Sequence, residues 1–147
     1  MYRVIPQTDA AMARGLVAGV PPQAQRVNLE VGEKRLPGEL VTVPHAVGLV
    51  LFAHGSGSSR HSRRNHHVAE VLQRHRLATL LFDLLTDDEG HDSRKRFDIA
   101  LLAGRVVQAL DWAVRLPAVA GLRPGLFGAS TGAAAALVGA ATRPAQV

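Results

Sequence analysis

The chain has 147 residues, 47% of them hydrophobic but only 4% aromatic, which bounds it to one domain with a core of Leu, Val and Ala. The absence of cysteine excludes a disulfide scaffold, a thiolate metal site and a cysteine nucleophile. The formal charge of +5 is spread along the chain without a recognition motif or an aromatic stacking platform, which argues against a nucleic-acid partner.

Residues 1–24 read as a tail closed by Pro21-Pro22, and 25–147 as the folded part. The tail does not read as a secretory leader, because Pro6 and Asp9 follow Arg3, and Arg14, Gly15 and Gly19 break the apolar stretch after them. Val27, Leu29 and Val31 then alternate with polar residues, Gly32-Glu33 reads as a turn, and Leu40 to Val43 form a second run. Residues 27–43 are therefore expected to form an antiparallel hairpin.

Beyond Pro44 the apolarity becomes continuous. VGLVLFA (47–53) and LATLLF (77–82) are apolar throughout, and a third strand begins at Leu126-Phe127. Strands apolar on both faces belong to a parallel sheet covered on both sides. A helix is expected over 62–74, with Val68, Val71 and Leu72 on one face. A longer one lies within 93–116, its stripe running Ile99, Leu102, Ala103, Val106, Leu110, Ala113 and Val114, and Pro117 ends it. Strands alternating with helices give an α/β layer architecture. The expected sheet order is the hairpin, 77–83, 47–53, then 126–127. No charge separates Arg123 from Arg143, but that span is rich in Gly and Ala and reads as strand plus buried helix, not as a membrane span. A cytoplasmic protein is the expectation.

Two constellations carry chemistry. Gly128-Ala129-Ser130-Thr131-Gly132 is a G-x-S-x-G between a strand and a small-residue helix, the context in which a strained turn holds a nucleophilic serine exposed. His54-Gly55-Ser56-Gly57 follows the first parallel strand, and ligands of open parallel sheets bind outside the carboxyl ends of the strands. The Ser56 and Thr131 backbone N–H groups are then expected to face a developing oxyanion. His54 is expected to shape its loop by hydrogen bonds and not to act as a base. A dinucleotide fingerprint competes for Gly55-x-Gly57. However, Arg60 replaces its third glycine, Asp83 stands 28 residues past Gly55, and the G-x-S-x-G is left unexplained.

Residues 60–67 are densely basic. Arg60, Arg63 and Arg64 either line the crevice and favour acidic substrates or form a solvated helix start. His66 and His67 are adjacent and point to different helix faces, so no metal site is expected. The acidic run 87–92 reads as a solvated, mobile loop, and Asp83 as a structural hydrogen-bonding group.

LVLFAHGSGSSRHSRRN (49–65), ATLLFDLLT (78–86), FDIALLAGRVVQALDW (97–112) and GLFGASTGAAAAL (125–137) resemble the dienelactone-hydrolase-like branch of the α/β-hydrolase superfamily. Members of that branch occur alone or fused behind a phosphoribosyltransferase domain. The resemblance spans about residues 27–147. It implies a three-layer α/β-hydrolase fold, mostly parallel, with an N-terminal antiparallel hairpin. It also implies a cofactor-free hydrolase of a small ester, thioester or lactone, with Ser130 as nucleophile and Ser56 and Thr131 as oxyanion donors. His54, Gly55, Gly57 and Arg60 would lie on the substrate side. Dienelactone hydrolases proper carry cysteine at the elbow, so the dienelactone substrate does not carry over, and Arg63 stands where relatives tend to have proline. The chain order in this superfamily is nucleophile, acid, histidine. Only 17 residues follow Ser130, and none is His, Asp or Glu. The expectation is a hydrolase truncated after the elbow helix, inactive alone, and self-associating through its exposed sheet edge. The alternative is a degenerate hydrolase-fold module that binds without catalysis.

Overall fold

The computed structural model describes residues 20–147. Residues 1–19 of the expected tail lie outside the described residues.

The hairpin forms first. Strand β1 (Gln23–Val31) pairs antiparallel with β2 (Lys34–Thr42), Val31 opposite Lys34, and Gly32 takes the positive φ of 63° that opens the two-residue turn. The pairing reaches back to Gln23, four residues before the alternating pattern begins. Strand β3 (Gly48–Ala53) is followed by helix α1 (Arg63–Arg74), whose N-cap is Ser62, with its hydroxyl accepting the Asn65 N–H at 3.3 Å. Val47, expected in β3, is 60% exposed and precedes the strand. Strand β4 (Leu77–Phe82) comes next, then two helical turns, α2 (Asp87–Gly90) and α3 (Ser93–Arg96), and the long helix α4 (Ile99–Ala113). Strand β5 (Pro124–Gly128) runs into helix α5 (Thr131–Thr142).

The sheet order is β1-β2-β4-β3-β5, the order expected from the sequence. β3 lies parallel between β4 and β5, while β2 joins β4 antiparallel. The continuous apolarity of β3 has its cause in this position. Leu49, Leu51 and Ala53 belong to the large core with Leu102, Val106, Leu110 and Ala135 of α4 and α5, whereas Val50 and Phe52 belong to the core beneath α1 with Ala69, Val68 and Leu72. Helices therefore cover both faces of a mixed five-stranded sheet, in three layers.

Two local expectations are corrected. The helix expected within 93–116 forms as α4, which starts at Ile99 because the Asp98 carboxylate accepts the Leu101 N–H at 3.0 Å. Val114, placed on its buried stripe, is 42% exposed. The acidic run 87–92 forms an ordered helical turn. The Thr86 hydroxyl accepts the Glu89 N–H while the Glu89 carboxylate accepts the Thr86 N–H, a reciprocal cap. Glu89 is 4% exposed and is paired with Lys34 of the hairpin and, at 2.9 Å, with buried Arg105 of α4. Among the described residues no helix is long and apolar enough to cross a membrane.

Candidate active site

Strand β5 gives way to α5 across two residues, Ala129 and Ser130. Ser130 has φ 54° and ψ −127°, a conformation that costs an L-residue energy and persists only where its surroundings impose it. Its neighbours do so. A Cβ at Gly128 would stand 2.6 Å from the Ala133 Cα, and one at Gly132 would run into the carbonyl oxygens of Ala53 and His54. Strand and helix thus cross at backbone contact, and the Ala129 N–H donates to the Ala53 carbonyl at 3.2 Å, fixing the turn against the end of β3. Ser130 is left exposed.

The loop after β3 closes on the same point. Gly57 adopts φ 75°, the Ser58 N–H donates to the Gly55 carbonyl at 3.1 Å, and Gly55 faces Ser130 without a side chain between them. The Ser56 N–H, expected to be an open donor, is directed onto the Thr131 hydroxyl oxygen at 2.8 Å. His54 holds the loop to the next strand. Its Nε2 accepts the Leu84 N–H at 3.1 Å, so the proton resides on Nδ1, which donates to the Gly55 carbonyl at 3.0 Å. Both ring nitrogens are engaged, which leaves His54 no lone pair for a serine proton.

Asp83, buried at the end of β4, accepts the Arg60 N–H at 2.7 Å on one oxygen and the Arg60 guanidinium on the other. Arg60 is thus turned onto the sheet and does not line the cavity beside the elbow. Arg63 and Arg64 are exposed on α1, the arrangement of a solvated helix start. His66 donates from Nε2 to the Arg60 carbonyl at 2.9 Å while His67 is exposed, so the two diverge. Among the described residues no group of three or more His, Asp or Glu is placed to hold a metal ion.

The cavity has a volume of about 380 Å³ and lies between the 54–59 loop, the segment after β4 and the start of α5, with Thr131 the elbow residue in its wall. Its apolar wall includes Leu84, Leu85 and Leu102. Arg96 also lines it, and its Nε is buried without a hydrogen-bond partner. Arg96 escaped the sequence reading because one arginine in the run Ser93-Arg94-Lys95-Arg96 carries no distinguishing pattern. Only the break at Asp98, which turns α3 toward the cavity, separates it from its neighbours.

A strand, a two-residue turn with a strained serine and a helix, beside a glycine loop at the carboxyl end of the central strand, define the α/β-hydrolase fold. Solved structures agree. A dienelactone hydrolase from Anabaena variabilis is 56% identical, with a TM-score of 0.82 over 86% of this chain and 60% of its own. Est1E from Butyrivibrio proteoclasticus, at 19% identity, shares the fold with a TM-score of 0.70 over 83% of this chain and 47% of its own. A Mycobacterium tuberculosis protein named as a phosphoribosyl transferase is 49% identical over 135 residues, 90% of this chain but 30% of that protein. No family model matches the chain. The chain has the α/β-hydrolase fold and is similar to a dienelactone hydrolase over most of its length. It spans less than a third of the curated relatives it matches.

Proposed function

We propose that the protein is a serine hydrolase in which Ser130 takes the acyl group of an ester, thioester or lactone. The Ser130 Oγ–carbon bond forms, the alcohol or thiol leaves with a proton, and water then releases the acid. The observation that carries this reading is the Ser130 backbone at φ 54°, ψ −127°, held there by Gly128 and Gly132 beside a cavity. Thr131 and Ser56 stand on the oxyanion side, Gly55 and Gly57 let substrate approach, and His54 and Arg60 brace that wall through Leu84 and Asp83. The substrate is a small molecule and the chemistry calls for no cofactor. The partial match to proteins named phosphoribosyl transferases supports a fusion partner in relatives.

His54, whose ring is fully engaged, is a poor base, and residues 131–147 hold no His, Asp or Glu. We propose that the triad's histidine and acid come from outside these 147 residues and that the chain alone shows no turnover. With its proton in place the Ser130 hydroxyl is a weak nucleophile. The same engagement of His54 favours the second reading, a hydrolase-fold module that binds ligands in the cavity without cleaving them.

A fluorophosphonate probe offered to the complete protein separates the two. Labelling that disappears in Ser130→Ala supports the hydrolase. A protein that stays unlabelled yet binds esters in the cavity is the module, and labelling that persists in Ser130→Ala places the nucleophile elsewhere.

A further inference from the structure

Thr131 brings two polar groups to the elbow. Its backbone N–H, the first of α5, meets no protein acceptor among the described residues. Its hydroxyl oxygen accepts the Ser56 N–H at 2.8 Å, from a residue 75 positions away on the other wall of the site. That bond leaves the Ser56 N–H no direct reach to a substrate oxygen. It also leaves the Thr131 hydroxyl proton free, on a residue that lines the cavity. A hydroxyl that accepts one hydrogen bond becomes a stronger donor in the next, because each bond polarises the other.

Building on the acyl-transfer reading of Ser130, we propose that the Thr131 side chain is itself a catalytic residue. Its hydroxyl donates a hydrogen bond to the carbonyl oxygen of the substrate, beside the Thr131 backbone N–H, while the Ser56 N–H acts behind it. As the Ser130 Oγ–carbon bond forms, the carbonyl electron pair moves onto that oxygen. The Thr131 proton stays on Oγ1, and its hydrogen bond strengthens as the negative charge grows. Such a bond is stronger in the transition state than in the bound substrate, so it lowers the barrier and not merely KM. Thr131 would then supply both donors to one oxygen, and the glycine loop would tune the site through a single polarising contact. A side-chain hydroxyl at 131 becomes a chemical requirement, where the elbow pattern itself accepts any residue.

The test uses the complete protein as wild type, Thr131→Val, which keeps the shape and loses the hydroxyl, and Thr131→Ser, which keeps the hydroxyl. Two quantities are read: kcat and KM for an aryl ester, and the rate of fluorophosphonate labelling at Ser130. Removal of one oxyanion donor lowers kcat by about 100-fold or more. That loss is expected in Thr131→Val, with KM little changed, in both turnover and labelling, whereas Thr131→Ser stays within a few-fold of wild type. Hydrogen exchange at the Ser56 amide should quicken in Thr131→Val and not in Thr131→Ser. If Thr131→Val does not fold, Thr131→Ala takes its place, with the same loss expected. A hydroxyl-free variant as fast as wild type, or faster, overturns the proposal, since the hydroxyl would then merely fill the place of the oxyanion. Wild type that fails to label at Ser130 removes the acyl-transfer reading, and this proposal with it.

Discussion

Gly55 and Ser130 meet where a side chain on the first would touch the second: a Cβ at position 55 would stand 3.1 Å from the Ser130 Cβ and 3.1 Å from the Ala129 carbonyl oxygen. The loop after β3 therefore sets the space available to Ser130. Gly55→Ala is expected to displace Ser130 by a few tenths of an ångström, and misplacement of reacting atoms is costly. Fluorophosphonate labelling should slow by about tenfold or more while the melting temperature changes little. Equal labelling rates in the two proteins would show that the contact is slack.

The strain at Ser130 is removable. Glycine adopts positive φ at no steric cost, so Ser130→Gly should stabilise the fold by about 1 kcal/mol in denaturant unfolding. Gly132→Ala should do the reverse, by about 3 kcal/mol or more, because the new methyl meets backbone carbonyls of β3 that cannot step aside. If both variants unfold at the wild-type midpoint, the turn is not held as tightly as its geometry implies.

Glu89 gives the fold a defined acid sensitivity. Burial pushes its carboxyl up. The hydrogen bonds from Lys34 and the Thr86 N–H and the charges of Arg105 and Lys34 outweigh that and hold it below the ordinary value. A carboxylate depressed in the folded state contributes stability that is present above its unfolded pKa and lost as pH falls through the folded one. Wild type should therefore lose stability below about pH 4.5 in a way that Glu89→Gln does not. At neutral pH the variant leaves Arg105 buried without its carboxylate and should be less stable by about 3 kcal/mol. Melting curves of both proteins from pH 3 to 7, roughly the span in which carboxylates titrate, decide it.

Anion preference, if the site has one, rests on Arg96 and not on the basic run of α1. Arg96→Leu should raise KM for acidic esters more than for neutral ones, because its unpartnered Nε lies in the cavity wall. Arg63→Gln and Arg64→Gln should leave the ratio untouched. A shift caused by the α1 variants alone would return the role to that helix.

β5 is paired only with β3 among the described residues, and Leu137 and Val138 of α5 are 74% and 47% exposed. Apolar helix surface beside an unpaired strand edge invites association. The 147-residue chain is expected to show concentration-dependent sedimentation that Leu137→Lys reduces. A monomer at all concentrations would count against it.

The sheet was legible because β3 is apolar at every position and β4 at every position but Thr79, which only double-sided burial explains, and Ser130 because its glycines stand where strand and helix must cross. The hairpin start at Gln23 was not legible, since the residues from Gln23 to Arg26 are exposed and carry no alternation. Glu89 was hidden more deeply. An acidic run looks solvated until Lys34, 55 residues away, and Arg105, 16 residues away, are brought onto one carboxylate. The Ser56–Thr131 contact was invisible for the same reason: each motif stood out by itself, but nothing local shows that the hydroxyl of one intercepts the amide of the other.

The two halves of the site meet only because β5 lies against β3, its neighbour in space and its most distant partner in sequence within the parallel sheet. On a growing chain β3 emerges long before β5, so the His54–Ser59 loop must wait, its polar groups answered by water, until β5 arrives. The geometry around Ser130 is thus assembled only when a five-residue strand docks. A change that loosens that strand would silence the site while leaving every residue of it intact.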